Sequence, residues 1–148
     1  MEMSLELVKT WLGRMNIPFN ITPRNTIVIL YNMENKYKFA VNIIPEGRWI
    51  QIAASMVHAD EIPKKRKEEI LADLLKGNWK LNDVTYSMDP NGSLFSENDV
   101  GADSNFENFA SEFGAVGFGV KYFFDEIGPK YGLRTPSEKF WVGIKSSY

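Results

Sequence analysis

Two neighbouring stretches alternate apolar and polar side chains with a period of two, and this pattern constrains the fold more than any other feature of the chain. Residues 37–43 place aromatic and β-branched side chains at every second position, and residues 50–56 likewise place apolar side chains at every second position. Such alternation is typical of antiparallel strands with one covered face. The link at residues 45–47 is too short for a crossover helix. Together with the apolar run at residues 26–32, the pattern predicts a three-stranded meander.

Apolar residues spaced by three and four predict helices on either side of these strands. Gly77 and Asn78 are expected to end the second helix because both tolerate a left-handed conformation, and Leu74 and Leu75 belong to its predicted buried stripe. The predicted helices span residues 4–16, 63–76 and 105–127, and two more strands span residues 81–88 and 94–100. The order α-β-β-β-α-β-β-α predicts a single α+β domain, with a five-stranded antiparallel meander sheet and helices packed mainly on one face.

The size and composition of the chain fit one globular core. It has 148 residues, of which 44% are hydrophobic and 24% charged, and a chain of this size buries roughly two-thirds of its surface on folding. We expect the domain to span residues 1–128, followed by a C-terminal extension at residues 129–148. No apolar stretch is long enough for a membrane span, and the N-terminus does not resemble a signal peptide. A cytoplasmic protein without a membrane partner is predicted.

Several kinds of chemistry are excluded by the residue types. The chain has no cysteine and one histidine, His58, so thiolate metal sites, cysteine nucleophiles and multi-histidine metal cages are ruled out. The glycine-rich run at residues 114–119 lies inside a helical pattern rather than between a strand and a helix, so it does not match a dinucleotide-binding loop. We therefore predict no catalytic residues, no metal and no cofactor.

The charges are distributed unevenly along the chain. Residues 81–120 contain seven acidic residues and no lysine or arginine, a distribution that argues against nucleic-acid binding and that attracts basic partners or serves solubility. The most basic run lies at the start of the second helix and consists of Lys64, Lys65, Arg66 and Lys67. It is either a solvated helix face or a possible anion-binding site, because cations there oppose the helix dipole.

Three pairs of side chains are candidate partner-binding residues. Alternation places Trp49 and Gln51 on the sheet face opposite the helices, where Trp49 is either exposed or covered by another segment. Phe118 and Tyr122 lie off the main apolar stripe of the last helix, so a second subunit is expected to cover them. The glycines of that helix each cost about 1 kcal/mol, which close approach of the sheet or of a second subunit would offset.

The extension brings strand-forming residues back at Phe140, Trp141 and Ile144. A free end of this composition would expose a large aromatic surface, so we expect it to dock on its own domain, along a sheet edge or on a second subunit. Phe140 and Trp141 form the third candidate pair.

The sequence at residues 71–81, Leu-Ala-Asp-Leu-Leu-Lys-Gly-Asn-Trp-Lys-Leu, resembles a helix end of the YbjN-like family. Residues 84–89 with the following glycine turn, and the aromatic-rich helix at residues 106–124, extend the resemblance. It covers residues 5–127 and implies the type III secretion chaperone-like fold. Proteins of this fold are typically small homodimers that bind other proteins without catalysis. The resemblance therefore implies a non-catalytic protein-binding module acting as a homodimer, with a small-molecule or anion-binding regulator as the alternative.

Overall fold

The computed structural model describes residues 2–141. Three helices and six strands make up the domain: α1 (Glu2–Arg14), β1 (Asn20–Ile21), β2 (Ile27–Met33), β3 (Tyr37–Glu46), β4 (Trp49–Val57), α2 (Lys67–Lys80), β5 (Tyr86–Met88), β6 (Leu94–Gly101) and α3 (Phe106–Tyr122). The α+β class and the single antiparallel sheet agree with the prediction. Within these residues, no helix combines the length and the apolar character that a membrane span needs.

The sheet differs from the predicted five-stranded meander in two ways. Its order is β1-β2-β3-β4-β6-β5, so the second strand of the C-terminal hairpin lies inside the sheet and the first lies at its edge. The sixth strand is β1, where Asn20 and Ile21 pair with Val28 and Ile27. Strand β1 was not predicted because two residues are too few to show an alternating pattern. The order of β5 and β6 was not predicted because no local pattern indicates which strand of a hairpin pairs with the rest of the sheet.

The helices cover one face of the sheet, as predicted. Val41 lies opposite Ala54 and Ile43 opposite Ile52, and all four side chains are buried. On the helix side, the Trp11 ring of α1 stacks against Phe109 of α3 with ring centroids 5.1 Å apart. The other side is the open face of the sheet, and it carries Trp49 and Gln51.

The last helix approaches the sheet closely at Gly119. The hydroxyl of Tyr86 donates a 2.6 Å hydrogen bond to the carbonyl oxygen of Gly119, and the hydroxyl of Ser96 donates one of 2.9 Å to that of Val116. A Cβ atom at position 119 would collide with the Ser96 side chain. Close approach of another element was expected to offset the cost of glycine in this helix. At Gly119 this is confirmed, and the element is the sheet.

Both long helices extend beyond their predicted ends. The second begins at Lys67, after a 3₁₀ turn at Lys64–Arg66, and continues through Gly77 and Asn78 to Lys80. Gly77 is buried against the Tyr86 ring, and the Asn78 side chain holds the backbone of the same tyrosine with hydrogen bonds of 2.6 and 3.2 Å. Tertiary contacts thus stabilise helical geometry where the local sequence favours a stop.

The last helix changes form instead of ending at Gly128 and Pro129. A π-helical stretch at Phe123–Ile127 follows α3, and a 3₁₀ turn at Gly128–Tyr131 continues it. The chain then turns at Gly132, whose φ of 76° lies in the left-handed region.

The predicted strand from Phe140 onwards is wrong within the described residues. Phe140 and Trp141 belong to a 3₁₀ turn, Glu138–Trp141. Residues 142–148, including Ile144, lie outside the described part of the chain.

Candidate protein-binding site

One half of the open face is covered by the chain's own C-terminal segment. The backbone N–H of Ser137 donates a 2.9 Å hydrogen bond to the carbonyl oxygen of Met56 at the end of β4. The Phe140 ring lies between those of His58 and Phe95, with centroid separations of 5.5 and 5.8 Å. We call the segment from residue 135 to residue 141 the docked tail.

Charged groups hold the docked tail at two further points. The Lys139 ammonium forms a 2.7 Å ion pair with Asp60, and the Lys38 ammonium lies 5.8 Å from the centroid of the Trp141 ring. Hydrogen bonds from Lys139 and His58 lower the pKa of the Asp60 carboxyl group. In this half of the face Lys139 and Asp60 are paired within the chain.

The other half of the open face is uncovered around Trp49. This side chain is 58% exposed, and the register places it between Glu46 of β3 and Gly101 of β6. Gly47 has a φ of 62° in the tight turn between β3 and β4. The turn is tied to the end of β6 by a 2.8 Å hydrogen bond from the N–H of Ala102 to the carbonyl oxygen of Arg48.

A cleft of about 480 Å³ lies beside the Trp49 side chain. It is lined by Ser4, Leu7, Gly47, Arg48, Trp49, Gly101, Ala102 and Asp103. We call it the Trp49 cleft. Its volume falls within the roughly 300–1,000 Å³ of typical ligand-binding sites, and its walls combine apolar side chains and backbone from α1, β4 and both adjoining turns.

Gln51, the second predicted residue, lies next to Trp49 on the same face. Its side-chain amide donates a 2.7 Å hydrogen bond to the carboxylate of Glu97, and Asp99 lies directly opposite it on β6. The structure thus brings Trp49 and Gln51 onto the same face as Phe140 and Trp141, but at opposite ends of β4.

A second apolar surface lies on α2, on the helix-covered side of the sheet. Leu75 is 69% exposed and Trp79 is 90% exposed, so the prediction that Leu75 is buried is wrong. Four residues apart, the two side chains are neighbours on one helix face, which points away from the buried Ile70 and Leu74. We call this pair the α2 surface. The sequence carried a signal for it, since position 79 falls off the buried stripe, but Trp79 was not among the predicted binding residues.

Phe118 and Tyr122 form a smaller patch on α3. Phe118 is 49% exposed, the two rings lie 6.4 Å apart, and the ammonium of Lys80 is 6.0 Å from the Tyr122 ring centroid. Gly117 does not face this patch, because a Cβ atom there would meet the sulfur of Met33 in the same chain at 3.3 Å. Of the two alternatives for the glycines of this helix, the close neighbour of Gly117 is therefore its own chain.

The basic run before α2 is partly engaged within the chain. The guanidinium of Arg66 donates hydrogen bonds of 3.0 and 3.1 Å to the carboxylate of Glu69, and it stacks 4.6 Å from the centroid of the Tyr131 ring. Lys64, Lys65 and Lys67 are exposed. This engagement of Arg66 weighs against an anion site built by all four residues.

Asp125 has a strongly lowered pKa, and the contacts that lower it stabilise the fold. Asp125, in the π-helical stretch, accepts hydrogen bonds from Lys121, Tyr37 and Lys36, and these hold the pKa of its carboxyl group well below the usual range. They tie the end of the last helix to the start of β3. Among residues 2–141 no group of three or more histidine, aspartate or glutamate side chains could hold a metal ion.

The comparison with known proteins rests on structure. No family model matches the chain, and no curated protein matches its sequence. YbjN from E. coli, described as a putative transcription regulator, has 14% identity and a TM-score of 0.62, over 90% of this chain and 96% of that one. The chain has the YbjN-like, type III secretion chaperone-like fold.

Two chaperone complexes share this fold at similar distance. The HopA1–SchA chaperone–effector complex matches 80% of this chain and 91% of its own, with 11% identity and a TM-score of 0.58. The Yersinia pestis type III secretion chaperone SycH, in complex with a fragment of YscM2, matches 80% and 97%, with 10% identity and a TM-score of 0.54. The predicted resemblance is confirmed at the level of the fold.

Proposed function

We propose that this chain is a non-catalytic, chaperone-like protein-binding module that acts in the cytoplasm as a homodimer, and that the Trp49 cleft receives the partner protein. The observation that carries the proposal is the exposure of Trp49 on the uncovered half of the sheet. Tryptophan is enriched among the residues that dominate protein–protein binding energies. Similar structures of chaperones in complex with partner proteins support the same role.

The geometry of the cleft suits a protein segment. Apolar walls at Leu7 and Ala102 flank the indole, and backbone atoms of the Gly47 turn complete the rim. Burying one side chain of leucine or phenylalanine size contributes about 1.5–3 kcal/mol, so a single anchor residue in this cleft would give a substantial part of the affinity. A rim of polar groups surrounds the apolar centre, as in typical protein interfaces.

For the homodimer, the α2 surface is the best candidate for contact between the two copies. A tryptophan that is 90% exposed leaves most of a large apolar area in water, and a two-fold axis beside Leu75 and Trp79 would bury both copies of each side chain. Because α2 lies on the helix-covered side of the sheet, such a dimer would keep both Trp49 clefts accessible.

Partner capture with matched variants tests the binding site. Wild-type protein, Trp49→Ala and Met88→Ala would be used for affinity capture from the native host, and the captured protein would then be purified and titrated calorimetrically. Met88 is also an exposed apolar residue, but it lies on β5 at the far edge of the sheet. We expect Trp49→Ala to weaken binding of the captured protein at least tenfold, since central interface tryptophans typically contribute more than 1.4 kcal/mol. Equal affinity of all three proteins would contradict the proposal.

Light scattering at micromolar concentration tests the dimer. A double variant, Leu75→Ala with Trp79→Ala, is expected to shift the wild-type dimer towards the monomer mass. Ile21→Ala removes an exposed apolar side chain at the opposite edge of the sheet and serves as the matched control. A monomeric wild-type protein would contradict the homodimer, and a dimer unaffected by the double variant would contradict the α2 surface.

A further inference from the structure

Carboxylates lie beside Trp49 and Gln51 on both neighbouring strands. Glu46 lies directly across from Trp49 on β3, and Asp99 lies across from Gln51 on β6. Asp103 lines the cleft itself, where Arg48 is the basic neighbour. Since adjacent strands are about 4.8 Å apart, these acids lie roughly one strand spacing from the exposed β4 side chains.

The carboxylates at the cleft form no ion pair with the described residues, so they are available to a charged ligand. Asp60, Asp73 and Asp125 each form an ion pair with a lysine, whereas none of Glu46, Asp99 and Asp103 has an ion-pair partner among residues 2–141. Glu97 accepts its hydrogen bond from the neutral amide of Gln51. Glu46, Asp99 and Asp103 outnumber Arg48, the basic residue of the cleft, so the charge around the cleft is net negative.

The acidity extends beyond the rim of the cleft. From residue 81 to residue 120 the chain has seven acidic residues and no lysine or arginine, and this stretch includes β6 and most of α3. Glu97 and Asp99 of this stretch lie on the open face, whereas α3 lies on the other side of the sheet. Carboxylates on the open face attract ligands of the opposite sign and repel acidic ones.

We propose that the segment bound at the Trp49 cleft is an extended peptide that combines apolar and basic residues. This inference rests on the proposed function. One apolar side chain enters the cleft against the indole of Trp49, and lysine or arginine side chains on either side of it pair with Glu46 and Asp99. In an extended chain, residues two positions apart point to the same side about 6.6 Å apart, which matches the scale of the apolar centre and its acidic rim.

Fluorescence anisotropy with three synthetic peptides tests this inference. The labelled peptides share a central leucine and carry lysine, glutamine or glutamate two positions before and two positions after it, on the same side of the extended chain. The proteins are the wild type, Trp49→Ala, the double variant Glu46→Gln with Asp99→Asn, and the control Glu68→Gln with Glu107→Gln. The control changes the net charge equally at exposed positions on α2 and α3. Thermal melting establishes that each variant is folded.

We expect the wild type to bind the lysine peptide most tightly and the glutamate peptide most weakly. The Glu46/Asp99 variant should lose roughly two- to tenfold in affinity for the lysine peptide at low salt, and the loss should shrink as salt screens the charges. The control variant should bind as the wild type does.

Two results would overturn the inference. The first is equal binding of the three peptides by the wild type; if Trp49→Ala still weakens that binding, the protein-binding role of the cleft stands and its charge preference is refuted. The second is an equal loss in the Glu46/Asp99 variant and in the control, which would make the effect one of net charge rather than of the cleft. Failure of the proposed function itself is a separate result, namely capture of the native partner unaffected by Trp49→Ala.

Discussion

The two halves of the open sheet face carry aromatic residues of similar size, yet the fold treats them differently. At one end of β4, Phe140 packs between His58 and Phe95, and the neighbouring Lys139 pairs with Asp60. At the other end, Trp49 has no such cover, and the nearby carboxylates have no counterion among residues 2–141. The comparison teaches that an aromatic residue on an open face indicates a binding site only when its surroundings also lack internal partners.

The largest expected effect comes from removing the cover. A chain truncated after Gly132 loses every described contact of the docked tail, including those of Phe140 with His58 and Phe95 and the hydrogen bond from Ser137 to Met56. We expect a loss of about 2–4 kcal/mol and a melting temperature lowered by roughly 5–15 °C, because the apolar burial is lost. Differential scanning calorimetry measures both.

A chain ending at Trp141 is the control for this truncation. It keeps the described contacts of the docked tail and separates their contribution from that of residues 142–148. If the chain ending at Gly132 melted at the wild-type temperature, the tail would be dispensable for the fold and the contrast between the two halves would disappear.

A smaller effect is expected for Phe140→Ala. The ring is half-buried between two other rings, so its loss should reduce the free energy of unfolding by about 1–3 kcal/mol. Chemical denaturation measures the change. Phe118→Ala is the matched control, because that ring is about half exposed on the helix surface and its loss should cost about 0.5 kcal/mol or less. Equal costs for the two variants would show that the docked ring contributes nothing specific.

A still smaller effect, dependent on pH, is expected for Lys139→Ala. Hydrogen bonds from Lys139 and His58 lower the pKa of the Asp60 carboxyl group in the folded protein. A lowered pKa means that the contribution is present above the unfolded value of about 3.9 and is lost as the pH falls through the folded value. The stability difference between wild type and Lys139→Ala should therefore be constant at neutral pH and decrease in acid. A difference that grew below pH 4 would contradict this pairing.

The smallest effect on stability is expected for Trp49→Ala. Its indole is more than half exposed, so the free energy of unfolding should change by about 0.5 kcal/mol or less, although the same change should weaken partner binding at least tenfold. Parallel denaturation and binding measurements test this separation. A destabilisation as large as that of Phe140→Ala would show that Trp49 stabilises the fold and would remove the contrast.

The order of helices and central strands could be predicted from the sequence because the spacing of apolar residues indicates each element locally. The alternation at residues 37–43 and 50–56 gave the strand faces correctly, including the placement of Trp49 on the open face. The position of β6 between β4 and β5 could not be predicted in this way, because nothing local distinguishes the two strands of that hairpin. Its identification requires contacts such as the hydrogen bond between Gln51 and Glu97, which joins residues 46 positions apart.

The candidate site could be predicted only in part, for the same reason. Trp49 and Gln51 were placed correctly by alternation. The cleft beside them was missed, since it forms only when α1, the β3–β4 turn and the end of β6 meet. Trp79 was missed because the helix was expected to stop at Gly77, whereas packing of Tyr86 on that glycine extends the helix by a further turn.

The insertion of β6 beside β4 has a consequence for the order of events during folding. The pairs β2–β3 and β3–β4 close over short turns, whereas β4 and β6 meet only after a loop containing all of α2 has closed, at an entropic cost that grows with loop length. The floor of the Trp49 cleft is made by this late pairing. A newly synthesised chain would therefore acquire its hairpins first and its proposed binding site last, only once folding is nearly complete.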